Sequence, residues 1–436
     1  DDPTTEPGTD DPTTEPGTDD PTTEPGTDDP TSEPADQTQE ETGEHRYYPY
    51  GEEFAHAIGY AENGRMGVEQ SANIYLVSSD VPLGQKMKNS FQDVKHMGNT
   101  VYTTFDTKLQ QVAFRALGIY EGAVIVTEPN TGKILAMVSK PDFDPNTLMD
   151  KWQTVIEDKD SSILVNRVSQ GLYPPGSTFK ILTALEYIHE NPNSYDDYKY
   201  ECRGSFSKRD NTIRCYHGTK HGEIDFVTSF AKSCNSSFAN IGVSLERTEF
   251  SKILDTLLFN HKLPVDFVSN PSKVTMSEDI SDSAMIQTSI GQGTTQMSPL
   301  HLAMITGMIA NDGKMMVPYM IDYVETANGT VIKRFEPKMI GQLIEPSEAL
   351  ALRELMISVV EDGTGTRLQS EHYKAAGKTG TAEFSNSTSE SHAWFTAFSY
   401  DTDNPLQVTV IVEGVGSGGE YAVPIARQIF DEYYSN

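Results

Sequence analysis

Five short strand-like runs lie at the two ends of one stretch of chain, and this placement limits the fold more than any other feature of the sequence. Residues 123–127 and 133–138 flank Glu128-Pro129-Asn130-Thr131-Gly132, a run of turn-forming residues, and read as a β-hairpin. Residues 374–383, 393–398 and 407–413 read as three more strands separated by loops. Strands gathered at both ends of one segment can share a sheet only if the long middle is an insertion. Helical patterns fill that middle at 178–189, 235–245, 299–310 and 347–361, and a last helix at 423–434 can close on the sheet. The expected fold class is therefore α+β: a five-stranded antiparallel sheet flanked by helices, with an inserted helical subdomain.

This domain is expected over residues 101–436. Residues 46–100 mix turns with short amphipathic pieces, too few to bury a core alone, and should pack on the domain that follows. Residues 1–45 are of another kind: four near-copies of DDPTTEPGT start at Asp1, Asp10, Asp19 and Asp28. They hold nine Asp and seven Glu with no Lys or Arg, so 16 of the 31 excess negative charges sit on a tail without the apolar residues a core needs. Such a composition predicts an extended, disordered spacer. The remaining chain is also acidic and lacks a Lys/Arg cluster, which argues against nucleic acid as a partner. No run of 18 apolar residues is present and nothing resembles a signal peptide, while the first residue is Asp rather than Met. The chain as given is thus expected to be soluble, a mature or truncated product whose membrane anchor is missing.

Cys202, Cys215 and Cys234 are too few to build a fold on disulfides. Cys202 and Cys215, 13 residues apart in a short polar segment, can bridge in an oxidising compartment, with two free thiols as the alternative. With His217 and His221 the pair can be drawn as a zinc site, but the spacing is poor, and the ten histidines show no H-E-x-x-H pattern. No metal and no cofactor are expected. Cys234 is expected to pack inward, the methionines 304, 308, 315 and 316 to fill core, and His392 and Trp394 to pack on the sheet.

Reactive chemistry concentrates at Tyr173-Pro174-Pro175-Gly176-Ser177-Thr178-Phe179-Lys180, where a Pro/Gly turn runs into an apolar helix. Ser177 then sits at a helix N-terminus, whose free N–H groups favour developing negative charge, and Lys180 returns over the same face three residues later. An amine of ordinary pKa costs about 4.6 kcal/mol to use in its neutral form at pH 7. Burial or a nearby cation removes part of that cost. S-x-x-K alone says little, because Ser205 to Lys208 and Ser229 to Lys232 also match it. The informative pattern is ordered: S-x-x-K at a helix start, Ser233-Cys234-Asn235 at another helix start 56 residues on, and Lys378-Thr379-Gly380-Thr381 on a strand 145 residues beyond that.

These three motifs resemble those of the penicillin-binding transpeptidases. Tyr48-Pro49-Tyr50-Gly51, Ala55-His56-Ala57-Ile58-Gly59-Tyr60, Gly67-Val68-Glu69 and Ile290-Gly291-Gln292-Gly293 look like the class B members in particular. The likeness runs from about Tyr47 to the C-terminus, and 46–100 then corresponds to part of an N-terminal pedestal. It departs at the front, where members of the class carry a membrane-spanning helix and an Arg-Gly segment that this chain lacks.

The resemblance implies a peptidoglycan D,D-transpeptidase acting outside the cytoplasmic membrane, with stem peptides as substrates, β-lactams as acylating inhibitors and cell-wall synthesis proteins as partners. It implies Ser177 as nucleophile, Lys180 as its base, Ser233 as proton relay and Asn235 as holder of the substrate amide. Lys378 would supply positive charge and lower the Lys180 pKa. Thr379 and Thr381 would face the substrate carboxylate, Gly380 would let substrate lie along the strand, and the N–H groups of Ser177 and Thr381 would form an oxyanion hole. Two rivals use the same residues: a β-lactamase or D,D-carboxypeptidase with water as acceptor, and a non-catalytic β-lactam sensor. No E-x-x-L-N segment stands between the second and third motifs, which removes the deacylating glutamate of one lactamase class.

Overall fold

The computed structural model describes residues 46–78, 97–159, 161–209, 211–383 and 391–435. The acidic repeats of 1–45 lie outside the described residues, and so does the expectation that they are disordered. Residues 46–436 form one compact unit.

Its centre is the expected sheet. Strands β1 (Gly122–Thr127), β2 (Ile134–Lys140), β3 (Lys374–Glu383), β4 (Ser391–Tyr400) and β5 (Gln407–Val412) are all antiparallel, in the order β3-β4-β5-β1-β2. The insertion between β2 and β3 therefore leaves from one edge and returns at the other. Alternation gives each strand two buried faces. Ile125, Met137, Trp394, Phe398 and Ile411 point into the core shared with the helical insertion. Val124, Val126, Phe395, Val408 and Val410 point the other way. That second face is covered by α1 (Thr107–Leu117) and α7 (Gly418–Tyr434), through Leu109, Ala113, Ile429 and Phe430. Fully burying each such aliphatic or aromatic side chain is worth roughly 1.5–3 kcal/mol before chain entropy is charged against it.

The insertion holds α2 (Lys180–Glu190), α3 (Phe226–Ala231), α4 (Asn235–Ser244), α5 (Pro299–Ala310) and α6 (Pro346–Glu361); all but α3, which the sequence patterns did not include, overlap the expected helices. Ser298 caps α5 by accepting from the His301 N–H at 3.2 Å, with Pro299 in the first turn where its missing N–H costs nothing. Glu345 and Glu348 form a capping box on α6. All but one residue of α5 is buried, which explains why its sequence is apolar on every side. The segment from 46 onward is tied in by Thr100–Thr103, which pairs with Ile321–Glu325. No helix among the described residues is long and apolar enough to cross a membrane.

Two histidines are buried without a counter-charge of their own. His56 donates from Nε2 to the Ile163 carbonyl at 2.8 Å, and His301 from Nε2 to the Leu257 carbonyl at 2.7 Å. Burial pushes both imidazoles down to about 4. In the unfolded chain each binds a proton below about pH 6.5, whereas in the fold each stays neutral until about 4. Their contribution is fully present above pH 6.5 and is lost as pH falls toward 4, roughly 3 kcal/mol for each. Denaturant melts should show stability falling between pH 6.5 and 5. His301→Gln, which keeps a donor for Leu257, should flatten the slope, and an unchanged slope would show that His301 does not set it.

Candidate active site

Ser177 lies in a short 3-10 turn, Gly176–Phe179, that runs directly into α2. Gly176 has φ +52°, and a Cβ there would come within 2.5 Å of the Thr381 carbonyl oxygen, so the turn presses on β3 as only glycine permits. The Gly176 N–H donates to the Gly291 carbonyl at 2.9 Å, and the Trp394 indole donates to the Pro174 carbonyl at 3.0 Å. The Tyr173 hydroxyl donates to Glu413 at 2.7 Å. The loop leading to Ser177 is thereby held from three sides.

Lys180 and Lys378 are both fully buried. Lys180 Nζ donates to the Ser233 carbonyl at 2.8 Å, to Ser233 Oγ at 3.2 Å and to Asn235 Oδ1 at 2.7 Å. Lys378, on β3, donates to the same Ser233 Oγ at 2.9 Å and to the Thr379 carbonyl at 3.1 Å. One hydroxyl thus lies between two amines. Ser233 takes a left-handed φ of 53° in the turn between α3 and α4, a conformation that costs a non-glycine residue on the order of 1 kcal/mol or more. The strain is consistent with a side chain whose direction matters.

Burial drives the Lys180 amine down to about 8, against an opposing pull from the Cys234 and Cys215 sulfurs. Lys378 is driven well below the ordinary amine range, first by burial and then by the charge of Lys180. The reading from sequence had the charge of Lys378 lowering Lys180; in the structure burial lowers Lys180, and like-charge repulsion enters only in the lowering of Lys378. Two buried ammonium groups on one hydroxyl cannot both stay protonated at little cost near neutral pH, so the pair favours holding a single proton.

The sequence-derived set comes together: Ser177, Lys180, Ser233, Asn235 and Lys378 occupy the junction of α2, α4 and β3, and Thr379, Gly380 and Thr381 follow along the same edge strand. Gly380 is also required by the packing of the protein itself. A Cβ there would meet Trp394 Cβ at 2.9 Å and the Pro175 carbonyl and Thr178 Cγ2 at 3.0 Å, so the missing side chain lets the Ser177 turn sit against β3. Thr364, which no motif pointed to, faces the Thr379 hydroxyl with its own at 2.5 Å. The two decoy S-x-x-K matches are accounted for. Ser205 is exposed on the small Ser205–Lys208 strand, and Ser229 is fully buried with its hydroxyl accepting from Ser237.

Of the two alternatives left open for Cys202 and Cys215, the structure has free thiols, and the unexpected feature is that all three cysteines meet. Cys202 and Cys215 are not bridged: their sulfurs are 3.7 Å apart and all three thiols are free. Cys234 does pack inward, but onto the other two, with its sulfur 3.6 Å from Cys215, and His221 Nδ1 lies 3.3 Å from Cys202. His217 is not part of the group. The four ligand atoms all lie within 4.8 Å of one another, so the spacing that read as poor for a metal is brought together by the Lys199–Cys202, Asn211–Arg214 and Gly222–Asp225 strands and the start of α4. Three thiols and an imidazole suit a soft divalent ion such as zinc. Sulfurs sharing a tetrahedral zinc at about 2.3 Å stand about 3.7–3.8 Å apart, close to the 3.7 Å of Cys202–Cys215 and the 3.6 Å of Cys215–Cys234. The only hint in the sequence is the regular 13-6-13 spacing of Cys202, Cys215, His221 and Cys234.

Residues 122–431 match the penicillin binding protein transpeptidase domain. The chain is 30% identical over 408 residues to the peptidoglycan D,D-transpeptidase PbpA of Mycolicibacterium smegmatis, covering 88% of this chain and 82% of that protein. It is 28% identical to the peptidoglycan D,D-transpeptidase MrdA of Acinetobacter baumannii, over 90% of this chain and 66% of the relative. Among solved structures, the D,D-transpeptidase domain of a peptidoglycan glycosyltransferase from Eggerthella lenta superposes with a TM-score of 0.80 at 27% identity, covering 90% of this chain and 92% of that one. The penicillin G acyl-enzyme complex of penicillin-binding protein A from M. tuberculosis superposes at 0.79 and 26%, covering 89% and 93%.

Proposed function

The chain belongs to the penicillin-binding protein transpeptidase family, of the class B kind, and from that premise we propose that it cross-links peptidoglycan stem peptides through an ester on Ser177. The observation that carries this reading is the Ser233 hydroxyl suspended between the Lys180 and Lys378 amines beside the Ser177 turn.

Neutral Lys180 takes the Ser177 proton as Oγ attacks the carbonyl of the donor peptide's D,D-bond. The N–H groups of Ser177 and Thr381 face the oxyanion, and the remaining positive charge of the lysine pair favours it over the neutral ground state. Ser233, within reach of both amines, passes a proton to the leaving amine. An acceptor amine then attacks the ester, and the same relay runs in reverse. Asn235 spends its oxygen on Lys180 and one amide hydrogen on the Arg214 carbonyl at 3.0 Å, so its second amide hydrogen is the one offered to the substrate. Thr379 and Thr381 offer hydroxyls to the terminal carboxylate, with Thr364 steering the first. Cys202, Cys215, His221 and Cys234 would hold a metal ion in a structural role, because four protein ligands leave no open position for water. The reaction lies outside the cytoplasmic membrane. Residence at its outer face, contact with other cell-wall synthesis proteins, and a spacer role for residues 1–45 are parts of the same reading.

The family also contains the chemistry for hydrolysis, so the decisive measurement is partition. Given an ester or thioester mimic of the donor and a D-amino acid as amine, a transpeptidase should form the amide at the expense of the free acid as amine is raised. Free acid alone at every amine concentration would replace this reading with a carboxypeptidase.

A further inference from the structure

The sulfur cluster sits directly behind the active site. Cys234 separates Ser233 from Asn235, and Cys215 follows Arg214, whose carbonyl holds the Asn235 amide. The Ser236 hydroxyl touches all three sulfurs, at 2.8 Å from Cys215, 3.2 Å from Cys202 and 3.5 Å from Cys234. Cys234 also caps α4, its sulfur accepting from the Ser237 N–H at 3.4 Å. Any change in the Cys215–Cys234 pair therefore acts on both ends of the segment that carries Ser233 and Asn235.

We propose that Cys202, Cys215, His221 and Cys234 form an oxidant-sensitive latch on the active site: as metal-bound thiolates they hold Ser233 and Asn235 in place, and a Cys215–Cys234 disulfide releases them. The chemistry follows from the donor set. Carboxylate and imidazole ligands survive a mild peroxide, whereas two thiolates give up one electron each to a hydroperoxide. The S–S bond forms, the O–O bond breaks, two protons are taken up and two waters leave when the oxidant is hydrogen peroxide. Two of the four donors are lost, and affinity for the metal goes with them. The sulfurs must close from 3.6 Å to about 2.05 Å. That movement of roughly 1.5 Å is large for a site whose hydrogen bonds are 2.7–3.2 Å long, and displacements of about 1 Å at a reacting centre cost about 100-fold in rate.

The test uses the full chain purified with zinc and then stripped of excess. Elemental analysis should give one zinc per chain, and denatured, unreduced, chelated protein should titrate three thiols. Brief hydrogen peroxide should release the zinc to a chromogenic chelator, lower the intact mass of the zinc-free chain by 2 Da, and place the bridge in the peptides containing Cys215 and Cys234. The rate of penicillin acylation should fall at least tenfold and return with thiol reductant plus zinc. Protein that takes up no zinc, or that forms the bridge with its acylation rate unchanged, would overturn the latch. Cys215→Asp keeps an anionic donor and removes the central sulfur, so the ratio of treated to untreated rate should approach one; peroxide sensitivity persisting in it would place the oxidation elsewhere. The wild-type zinc, thiol and mass readings decide the case even if this variant does not fold. The latch rests on the transpeptidase reading only for its rate readout. Untreated protein that never acylates would defeat that reading and leave zinc release and bridge formation still measured.

Discussion

Ser177→Ala is expected to carry no benzylpenicillin adduct at all, where the unaltered chain carries one per molecule, persisting for many minutes and mapping to the Ser177 peptide by intact and digest mass. The effect is all or nothing because, among the described residues, no other serine combines a helix start, a buried amine three residues on and a glycine turn against β3. Ser205→Ala should retain the adduct, since Ser205 stands exposed on a small strand, and the Lys208 that completes its S-x-x-K pairs with Asp282 at 3.4 Å. Ser229→Ala should retain it too, with some loss of stability, because the Ser229 hydroxyl is a buried acceptor for Ser237. Lifetime separates transfer from hydrolysis. A lactamase returns to the unmodified mass quickly while free penicillin disappears, and that result would end the cross-linking assignment. An unaltered chain that neither forms an adduct nor consumes penicillin would make the protein a non-acylating scaffold.

The second large effect concerns the lysines. Lys180→Met, which keeps the volume and removes the base, should slow acylation by about 100- to 10,000-fold, the usual range for losing a positioned general base. In the unaltered chain the rate should rise with pH through about 8 and level off above it, because the productive form is the neutral amine and burial has brought its pKa to that value. The sign follows from the charge: a base works deprotonated, so the active fraction grows as pH climbs through the folded pKa. Lys378→Met removes the amine that shares the Ser233 hydroxyl with Lys180, and if the two are coupled through it Lys180 keeps its proton to higher pH. The rise should move upward and the plateau should fall. A lower plateau with the rise still at about 8 would assign the Lys180 shift to burial alone and refute coupling through Ser233.

Much of the fold was legible in advance because it was written at short range. The strands at 374–383 and 407–413 were marked off by flanking loops, and α5 began where Ser298 and Pro299 said it should. Thr107–Leu117 escaped notice although Asp106 caps it, because its apolar positions sit among Lys, Gln and Arg and become a core face only once the sheet is beneath them. The packing around Gly380 was not legible, since a Cβ there would meet Trp394 on the neighbouring strand and also Pro175 and Thr178, about 200 residues away in the chain.

The sequence by itself determined the placement of Ser177 and Lys180: a Pro/Gly turn opening a helix puts them on one face through helical geometry that needs no tertiary contact. Its short runs between turn-forming residues likewise marked the five segments that form the sheet. Only the tertiary structure decided that Lys180 and Lys378 would share the Ser233 hydroxyl, because a pKa near 8 arises from packed apolar neighbours that exclude water, and exclusion belongs to the assembled core. It also decided the fate of the cysteines. Spacing suggested a bridge between two of them, but three small strands and the start of α4 bring a third sulfur and His221 to the same point. A set of ligands is defined by distances in space, and those distances were settled by strand pairings and helix packing that no local pattern encodes.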